Sequence, residues 1–236
     1  MKNVCSETKN VQTALKYIDR VRKRDVIRQT GLMLIYGIWG IGKTWFGEKF
    51  AAENGFIFMR LYSTMRQKDF LIAMIKKVYE NLGKTQGIPY YKNTYSLFEI
   101  LKDTINTGYD KPPVIIIDEI DYAMKRTHIL DAIRDIADDT IGTYICIGMQ
   151  NTYNDIKQIS PYFFNRWAYT LQFQPNDKAD ISKTIKDVCE IDINDTNIDL
   201  IVHKSEGNMR NLIKIINHAE IIQNNDELTA LLGEKE

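Results

Sequence analysis

The sequence lacks several features that would place it in a specialised class of protein. It has only three cysteines, Cys5, Cys146 and Cys189, which are widely spaced and without CxxC or CxxH neighbours. Such cysteines indicate reduced thiols in a cytoplasmic protein, because disulfide frameworks and metal sites use paired cysteines. No apolar run approaches the roughly 20 residues of a membrane-spanning helix. The first ten residues also lack the apolar stretch of a secretory signal.

A net charge is also missing, since 31 basic residues balance 31 acidic ones in a chain of 236. The balance conceals an asymmetry along the chain. Residues 175–236 contain 7 basic and 13 acidic residues, whereas residues 1–174 contain 24 basic and 18 acidic ones. A basic body permits nucleic-acid binding, although lysines scattered over the surface would give the same totals.

Short apolar runs alternate with amphipathic segments over most of the chain. The apolar runs predict strands within residues 31–37, 56–63, 112–121, 143–151 and 169–175, and helical spacing predicts helices within 11–28, 45–55, 69–82, 97–105 and 130–137. Strands of continuous apolar residues are typical of a parallel sheet covered by helices on both faces. After Pro175 the pattern is helical only. We therefore predict an α/β fold, with a basic helix at 1–28 packed on a core at 29–174 and a small helical domain at 175–236.

The main chemical motif lies between the first strand and the helix that follows it. The run Gly37-Ile38-Trp39-Gly40-Ile41-Gly42-Lys43-Thr44 fits the phosphate-binding pattern GxxxxGK[ST]. Its glycines allow backbone N–H groups to surround phosphate oxygens, and the next helix presents its positive end to them. The pattern predicts that Lys43 reaches the β- and γ-phosphates and that the Thr44 hydroxyl binds Mg²⁺.

A second motif ends the apolar run at residues 114–117. Asp118 is predicted to hold Mg²⁺ through water, and Glu119 is placed to polarise a water that attacks the γ-phosphate. An apolar run followed by Asp-Glu is often only a strand end, but the upstream glycine-rich loop favours the catalytic interpretation. The nucleotide-binding residues are then Gly37, Gly40, Ile41, Gly42, Lys43, Thr44, Trp45 and Asp118, with Thr44 and Asp118 as metal ligands.

With these two motifs the chain resembles the AAA+ ATPases, from about residue 10 to about residue 225. The resemblance implies ATP as the nucleotide and a C-terminal helical lid. Asn151, with Gln150 as the alternative, matches the family's polar sensor of the γ-phosphate. Arg166 matches an arginine finger that enters a neighbouring subunit's site, the alternative being an internal salt bridge. Arg210, in the run Glu206-Gly207-Asn208-Met209-Arg210, matches the lid arginine that reaches the nucleotide.

A narrower resemblance is to the MuB/TnsC group of ATPases that select targets for DNA transposition. It rests on Asp118-Glu119-Ile120-Asp121, on Ile133-Arg134-Asp135-Ile136-Ala137-Asp138 and on the run ICIGMQN at 145–151. This resemblance implies ATP-dependent filaments or rings around duplex DNA, which recruit and stimulate a transposase. The chain differs from MuB in lacking a separate N-terminal helix-turn-helix domain, so an independent second DNA contact is in doubt.

The same group resemblance implies that DNA is gripped by loops after the second strand and near Glu119. The matching residues are Thr64, Arg66, Lys68, Lys125 and Arg126. Contacts from such residues go to phosphates and carry no sequence preference. The alternative for each of them is an ordinary solvated side chain.

Two other clusters are open to more than one interpretation. The basic residues Arg20, Arg22, Lys23, Arg24 and Arg28 would follow the same DNA backbone or pack between subunits. Tyr90 and Tyr91 are expected to fill a gap between helices, and the alternative is stacking on bases.

The leading hypothesis is a cytoplasmic ATPase that assembles on duplex DNA with ATP and Mg²⁺ and regulates a transposase. One alternative is a replication initiator or helicase loader, and an added partner-binding domain would favour it. The other is a nucleotide switch of the STAND kind, and C-terminal sensor repeats would favour that one. From Met1 and the polar ending Glu-Lys-Glu we expect a complete product.

Overall fold

The computed structural model describes residues 1–25, 29–85, 87–222 and 224–233. In these ranges the strands are β1 (Leu32–Tyr36), β2 (Ile57–Arg60), β3 (Val114–Asp118), β4 (Thr143–Ile147) and β5 (Trp167–Gln172). The helices that accompany them are α1 (Lys9–Arg22), α2 (Lys43–Asn54), α3 (Gln67–Asn81), α4 (Thr94–Gly108), α5 (Asp121–Met124), α6 (Thr127–Asp139), α7 (Thr152–Ile159) and α8 (Pro161–Phe164). Four more follow, α9 (Lys178–Val188), α10 (Asp195–Ser205), α11 (Met209–Ile222) and α12 (Asn225–Gly233). Within the described part of the chain, no helix has the length and apolar character that crossing a membrane requires.

The strands form one parallel sheet in the order β2-β3-β4-β1-β5. Strands β3 and β4 are buried at every position, and β1 at all but its last, as their continuous apolar runs predict. Because β4 lies between β1 and β3, its end separates the glycine-rich loop from the Asp118-Glu119 motif. The predicted α/β fold is confirmed.

Helices cover both faces of the sheet because successive strand side chains point to opposite sides. Leu34 and Ile117 belong to a core formed with α3, α4 and α6. Met33 and Ile116, one position earlier on the same strands, belong to a second core formed with α1 and α2. The carboxyl ends of the strands are left open between these layers, and the chemical motifs lie there.

The C-terminal helices α9 to α12 form a separate apolar cluster, to which Ile185, Ile201, Leu212 and Ile216 contribute buried side chains. This helical region is connected to the sheet by the segment between β5 and α9. We call α9 to α12 the lid.

The first eight residues join the sheet and the lid in a way the sequence analysis did not anticipate. The Lys2 N–H donates to the Val188 carbonyl at 2.8 Å, and the Ser6 hydroxyl donates to Asp187 at 2.7 Å. Further along, the Asn10 side chain donates to the Gln174 carbonyl at 2.7 Å. The N-terminal segment is therefore bound to the lid before α1 packs on the sheet.

The helix predicted at residues 11–28 is shorter than expected, since α1 ends at Arg22. Just beyond it, Arg24 is only 9% exposed. Its guanidinium donates to the carbonyls of Val21, Gln29, Ile141 and Gly142 and to the Thr143 hydroxyl. These bonds turn the chain in against the start of β4 and keep Arg24 from any DNA. Arg28, the last member of the basic cluster, lies outside the described residues.

The expectation that Tyr90 and Tyr91 fill a gap between helices is wrong for this chain. Tyr90 is 60% exposed and Tyr91 is 83% exposed. Both lie in the loop before α4, where Lys92 Nζ lies 5.2 Å from the centre of the Tyr91 ring.

Replacing Arg24 by methionine is expected to lower the free energy of unfolding by about 3 kcal/mol, because several buried carbonyls would lose their donor. Urea unfolding followed by circular dichroism measures this change. The matched control is Arg20→Met, an exposed residue of the same basic cluster whose guanidinium lies 5.8 Å from the Tyr17 ring centre. The control should lose less than about 1 kcal/mol. Equal losses in the two variants would contradict a structural role for Arg24.

Candidate nucleotide-binding site

The glycine-rich loop leaves the end of β1 and enters α2 at Lys43. Gly40 and Gly42 have φ values of 77° and 95°, in the left-handed region that favours glycine. Gly40 also lies against the lid, because a Cβ atom there would come within 2.3 Å of the Asn208 Oδ1 atom. Glycine at position 40 is therefore needed both for backbone shape and for close packing.

Lys43 is held inside this loop. Its Nζ donates to the carbonyls of Gly37 at 2.9 Å and Ile38 at 2.7 Å. Burial lowers the pKa of Lys43, and the neighbouring Asp118 carboxylate opposes part of that effect. The ammonium group is thus held within the glycine-rich loop, and its contact with phosphates stays a prediction.

Asp118 connects three elements at the end of β3. Its carboxylate is buried, and it accepts from the Thr44 hydroxyl at 3.1 Å and 3.3 Å. Arg60 Nε donates to Asp118 Oδ2 at 3.1 Å, because the register of β2 on β3 places Arg60 beside Asp118. The sequence analysis did not identify Arg60. The signal that could have found it is a cation at the last position of an otherwise apolar strand.

Glu119 follows with a φ of 60°, which is uncommon for a residue other than glycine. Strained backbone of this kind is typical of functional positions. Burial raises the pKa of Glu119, and Asp118 and Asp121 raise it further, whereas Arg60 and Lys43 lower it. A carboxylate with a raised pKa is a stronger base, so the geometry fits the role predicted for Glu119.

The end of β4 is tied to the same region through Asp121. This carboxylate accepts from the Met149 N–H at 2.9 Å and from the Thr152 hydroxyl at 2.6 Å. Asn151 lies between Met149 and Thr152, immediately before α7. Both Asn151 and Gln150 are exposed. Gly148 and Met149 line the cavity, whereas Gln150 and Asn151 are not among its lining residues. The sensor role of Asn151 therefore stays a prediction.

The lid reaches the glycine-rich loop at the start of α11. Asn208 Nδ2 donates to the Trp39 carbonyl at 3.3 Å, and its Oδ1 accepts from the Arg210 N–H at 3.0 Å. The same Arg210 N–H lies 3.0 Å from the Gly40 carbonyl. Arg210 lines the cavity, and its charge lowers the pKa of Lys43, but its contact with a nucleotide stays a prediction. Asn208, which sequence analysis missed, positions the lid on the loop.

Arg166 lies between α8 and β5, and its Nε donates to the two carboxylate oxygens of Asp138 at 2.9 Å and 3.1 Å. The Arg166 side chain is 45% exposed and so lies at the surface. Within one chain the structure therefore shows the internal salt bridge. The arginine-finger role concerns a second subunit and stays a prediction.

A cavity of about 810 Å³ joins these residues. Trp45, Thr44, Asp118 and Glu119 line it on the sheet side. On the other side its wall is largely apolar and comes from the N-terminal segment, α1, the residue after β5 and the lid, through Val4, Val11, Phe173, Val188 and Ile213. A polar wall for phosphates facing an apolar wall suits a nucleotide, and the volume is in the range of ligand pockets.

The oxygen ligands at the phosphate wall suit Mg²⁺. The Thr44 hydroxyl and the Asp118 carboxylate lie within hydrogen-bond distance of each other, as two ligands of one ion would. Mg²⁺ is commonly bound by one or two protein oxygens, with phosphates and waters completing its shell.

The residues expected to contact DNA lie at a second groove, of about 580 Å³. Four of the five predicted positions line it, namely Arg66, Lys68, Lys125 and Arg126. The fifth, Thr64, lies beside it, because Arg126 Nη1 donates to the Thr64 carbonyl at 2.8 Å. Residues 66–68, 94 and 125–129 line this surface, which we call the basic groove.

A family model described as an AAA domain matches residues 25–154, which is more than half of the chain. The chain belongs to the AAA+ ATPases. None of the curated proteins matches it. Solved structures do, and their resemblance extends to this ATPase's lid.

Three of these structures have low sequence identity but a similar fold. Aeropyrum pernix ORC2, in ADPNP and ADP complexes, has a TM-score of 0.70 at 13% identity, and the match covers 99% of this chain and 70% of the ORC2 chain. Aeropyrum pernix ORC1 in complex with DNA has a TM-score of 0.62 at 14% identity, and the match covers 97% of this chain and 65% of ORC1. Domain III of the Thermotoga maritima replication initiation protein DnaA has a TM-score of 0.57 at 16% identity, and the match covers 95% of this chain and 92% of that domain.

Replacing Glu119 by glutamine is expected to lower the rate of ATP hydrolysis by about 10² to 10⁴-fold, the contribution of a positioned base. Nucleotide affinity should change little, because Lys43, Thr44 and Asp118 are untouched. Steady-state phosphate release and binding of a fluorescent nucleotide measure the two quantities. Glu53→Gln, an exposed carboxylate on α2, is the control.

The pH profile of hydrolysis gives a second view of Glu119. Its pKa is raised, so the base is lost as the pH falls through a value above the usual glutamate pKa of about 4.3. As the pH is lowered, activity should therefore begin to fall at a higher pH than it would with a glutamate of ordinary pKa. A profile of the Glu119→Gln variant that keeps the same acidic limb would contradict the assignment.

Proposed function

We propose that this AAA+ ATPase binds duplex DNA without sequence preference when ATP is bound, and assembles on that DNA with further copies of itself. In this proposal it regulates target selection and transposase activity in transposition, as the MuB/TnsC resemblance implies. The observation that carries the DNA-binding part is the basic groove. Two loops that are 60 residues apart in sequence bring their cations to one surface there.

The basic groove has the features of a phosphate-binding surface. Helices α3, α4 and α6 all begin at it, through Gln67, Thr94 and Thr127. Helix N-termini attract anions, and the neighbouring lysines and arginines add full charges. Such contacts would go to the DNA backbone, which explains affinity without sequence preference.

The groove is directly connected to the nucleotide site. The loop that carries Arg66 begins after Arg60, which bonds the Asp118 side chain, and the Leu61 N–H donates to the Asp118 carbonyl at 2.9 Å. Lys125 follows the short helix α5, which begins two residues after Glu119. Asp118 is thus close in sequence or by hydrogen bond to both segments of the groove, which supports the proposal that DNA binding depends on ATP.

Hydrolysis is assigned to the chain's own groups as follows. Lys43 and the N–H groups of the glycine-rich loop hold the triphosphate, and Glu119 takes a proton from a water molecule. The water oxygen bonds to the γ-phosphorus, the bond from that phosphorus to the bridging oxygen breaks, and ADP leaves with the electron pair. Mg²⁺, held by Thr44 and Asp118, supplies neutralisation of the phosphate charge when bound.

Arg166 is the proposed contact between subunits. Its partner Asp138 holds it at the surface, half exposed, so a neighbouring subunit's γ-phosphate can compete for the guanidinium. Assembly would then need the triphosphate, since ADP offers no γ-phosphate. Hydrolysis would weaken the contact and release subunits from DNA.

The second candidate is a replication initiator or helicase loader. It is favoured by the similarity in fold to ORC2, ORC1 and DnaA domain III, of which ORC1 was solved with DNA. Both candidates share ATP-dependent DNA binding and differ in partner. Cross-linking the ATP-bound, DNA-bound protein in its native cells and identifying the captured partner separates them. A transposase supports the first candidate, and a replicative helicase supports the second.

Replacing Arg66, Lys68 and Lys125 by glutamine is expected to weaken duplex binding and reduce its salt dependence. The plot of log K against log salt concentration has a negative slope, and each lost phosphate contact makes that slope shallower by about 0.9. Fluorescence anisotropy of labelled duplexes with a non-hydrolysable ATP analogue measures both. The control is the pair Lys76→Gln and Lys77→Gln, exposed lysines further along α3 that face Glu80. Equal weakening in the two sets would contradict binding at the basic groove.

Replacing Arg166 by alanine is expected to abolish triphosphate-dependent coats on plasmid DNA, seen by negative-stain imaging, while nucleotide affinity of single subunits is retained. Asp138→Asn, which frees the arginine from its carboxylate, should still form coats. Normal coats in the Arg166→Ala variant would exclude the finger role. Free monomers of the wild-type protein under every condition would exclude DNA-templated assembly and favour the nucleotide-switch alternative.

A further inference from the structure

Exposed tyrosines border the basic groove, and the proposed function does not use them. Tyr91, which lies in the loop before α4, is the most exposed of them, and Tyr95, on the first turn of α4, is 72% exposed. Thr94 lies between these two residues and lines the groove. The rings of Tyr91 and Tyr95 are therefore presented at the edge of the groove.

The other two segments of the groove also carry an exposed tyrosine each. Tyr62 lies at the start of the loop that carries Arg66, and it is 57% exposed. Tyr122 lies on α5, three residues before Lys125, and it is 37% exposed. Single exposed aromatic residues are ordinary, whereas exposed rings gathered around one polar surface mark an interaction site.

The backbone before α4 holds Tyr91 in its exposed position. The Lys92 N–H donates to the Pro89 carbonyl at 3.1 Å, which closes a turn around the tyrosine. Directly after it, the Asn93 side chain caps α4 by accepting from the Ser96 N–H at 2.8 Å. The Lys92 ammonium lies 5.2 Å from the centre of the Tyr91 ring. A positive charge and an open aromatic face are thus offered at the same place.

This combination of groups distinguishes between two forms of DNA. An intact duplex offers its phosphates to such a surface, because its bases are stacked inside the helix. An unpaired strand offers both its phosphates and the faces of its bases. Surfaces that bind unpaired strands combine a positively charged groove with aromatic side chains on which successive bases stack. Arg66, Lys68 and Lys125 supply the charge of the groove, and the tyrosines supply the aromatic faces.

We propose that the basic groove binds a strand of unpaired DNA, with its cations on the phosphates and with Tyr91 and Tyr95 stacked on bases. The inference rests on the proposed binding of DNA at this groove, and it names the form of DNA that the groove prefers. That form is a duplex in which one strand is locally unpaired. Tyr62 and Tyr122 offer further rings close to the ends of β2 and β3.

The test compares three labelled DNAs by fluorescence anisotropy, using the full chain and a non-hydrolysable ATP analogue. The first is an intact duplex, and the second is the same duplex with a loop of unpaired thymidines in one strand. The third has abasic sites in place of those thymidines, so it carries the same phosphates without the bases. Wild-type protein is expected to bind the thymidine loop about 10-fold more tightly than the abasic loop, the effect of one stacked base.

The double variant Tyr91→Ala and Tyr95→Ala should reduce this ratio to about one and keep its affinity for the intact duplex, because stacking is lost and the cations remain. Replacing both tyrosines by phenylalanine keeps the rings and should keep the ratio. Tyr162→Ala is the matched control, since Tyr162 is 78% exposed on α8. Arg166, just after α8, bonds Asp138 at the end of α6 that lies away from the groove.

Salt gives an independent measure of the same contact. Both loops carry the same phosphates, and stacking releases no counterions, so the ratio should persist while both affinities fall with rising salt concentration.

Equal binding of the thymidine and abasic loops by wild-type protein would overturn the inference and leave duplex binding at the basic groove intact. A ratio that survives in the double alanine variant would also overturn it, and would assign these tyrosines to a protein partner. Absence of binding to all three DNAs would overturn the proposed function, and this inference with it.

Discussion

The carboxylate of Asp118 is the interaction on which the arrangement of the site depends. It is buried at the end of β3 and bonds the Thr44 hydroxyl of α2 and the Arg60 guanidinium of β2. A buried carboxylate needs such partners, since its charge is otherwise strongly unfavourable. Through them it connects the phosphate-binding loop to the strand that precedes the basic groove. The candidate nucleotide site and the strand that leads to the basic groove are therefore joined at one charged group.

The lid contributes the other half of the site through hydrogen bonds to the backbone. Asn208 holds Trp39 of the glycine-rich loop, and the Arg210 N–H reaches Gly40. The N-terminal segment bonds the same lid at Val188 and Asp187. The cavity thus lies between three parts of the chain, namely the glycine-rich loop, the lid and the N-terminal segment.

The pattern of apolar runs was sufficient to predict the parallel sheet and most of its helices. A strand that is buried on both faces is mostly apolar along its length, and the apolar runs of β3 and β4 therefore predicted buried strands. The end of α1 was wrong by several residues because Arg24 is recruited by carbonyls more than a hundred positions away. Its burial follows from those distant acceptors, whereas the sequence analysis expected the basic cluster to follow DNA or to pack between subunits. Likewise Tyr90 and Tyr91, aromatic in sequence, lie exposed.

The sequence by itself determined the phosphate-binding loop and the Asp118-Glu119 pair, because local backbone shape and side-chain chemistry at fixed spacing define them. It also indicated the cations of the basic groove, through resemblance. Only the tertiary structure decided that Arg60 neighbours Asp118 and that Asn208 meets Gly40. These contacts join residues distant in the chain, so strand register and lid docking create them, and no local pattern records them.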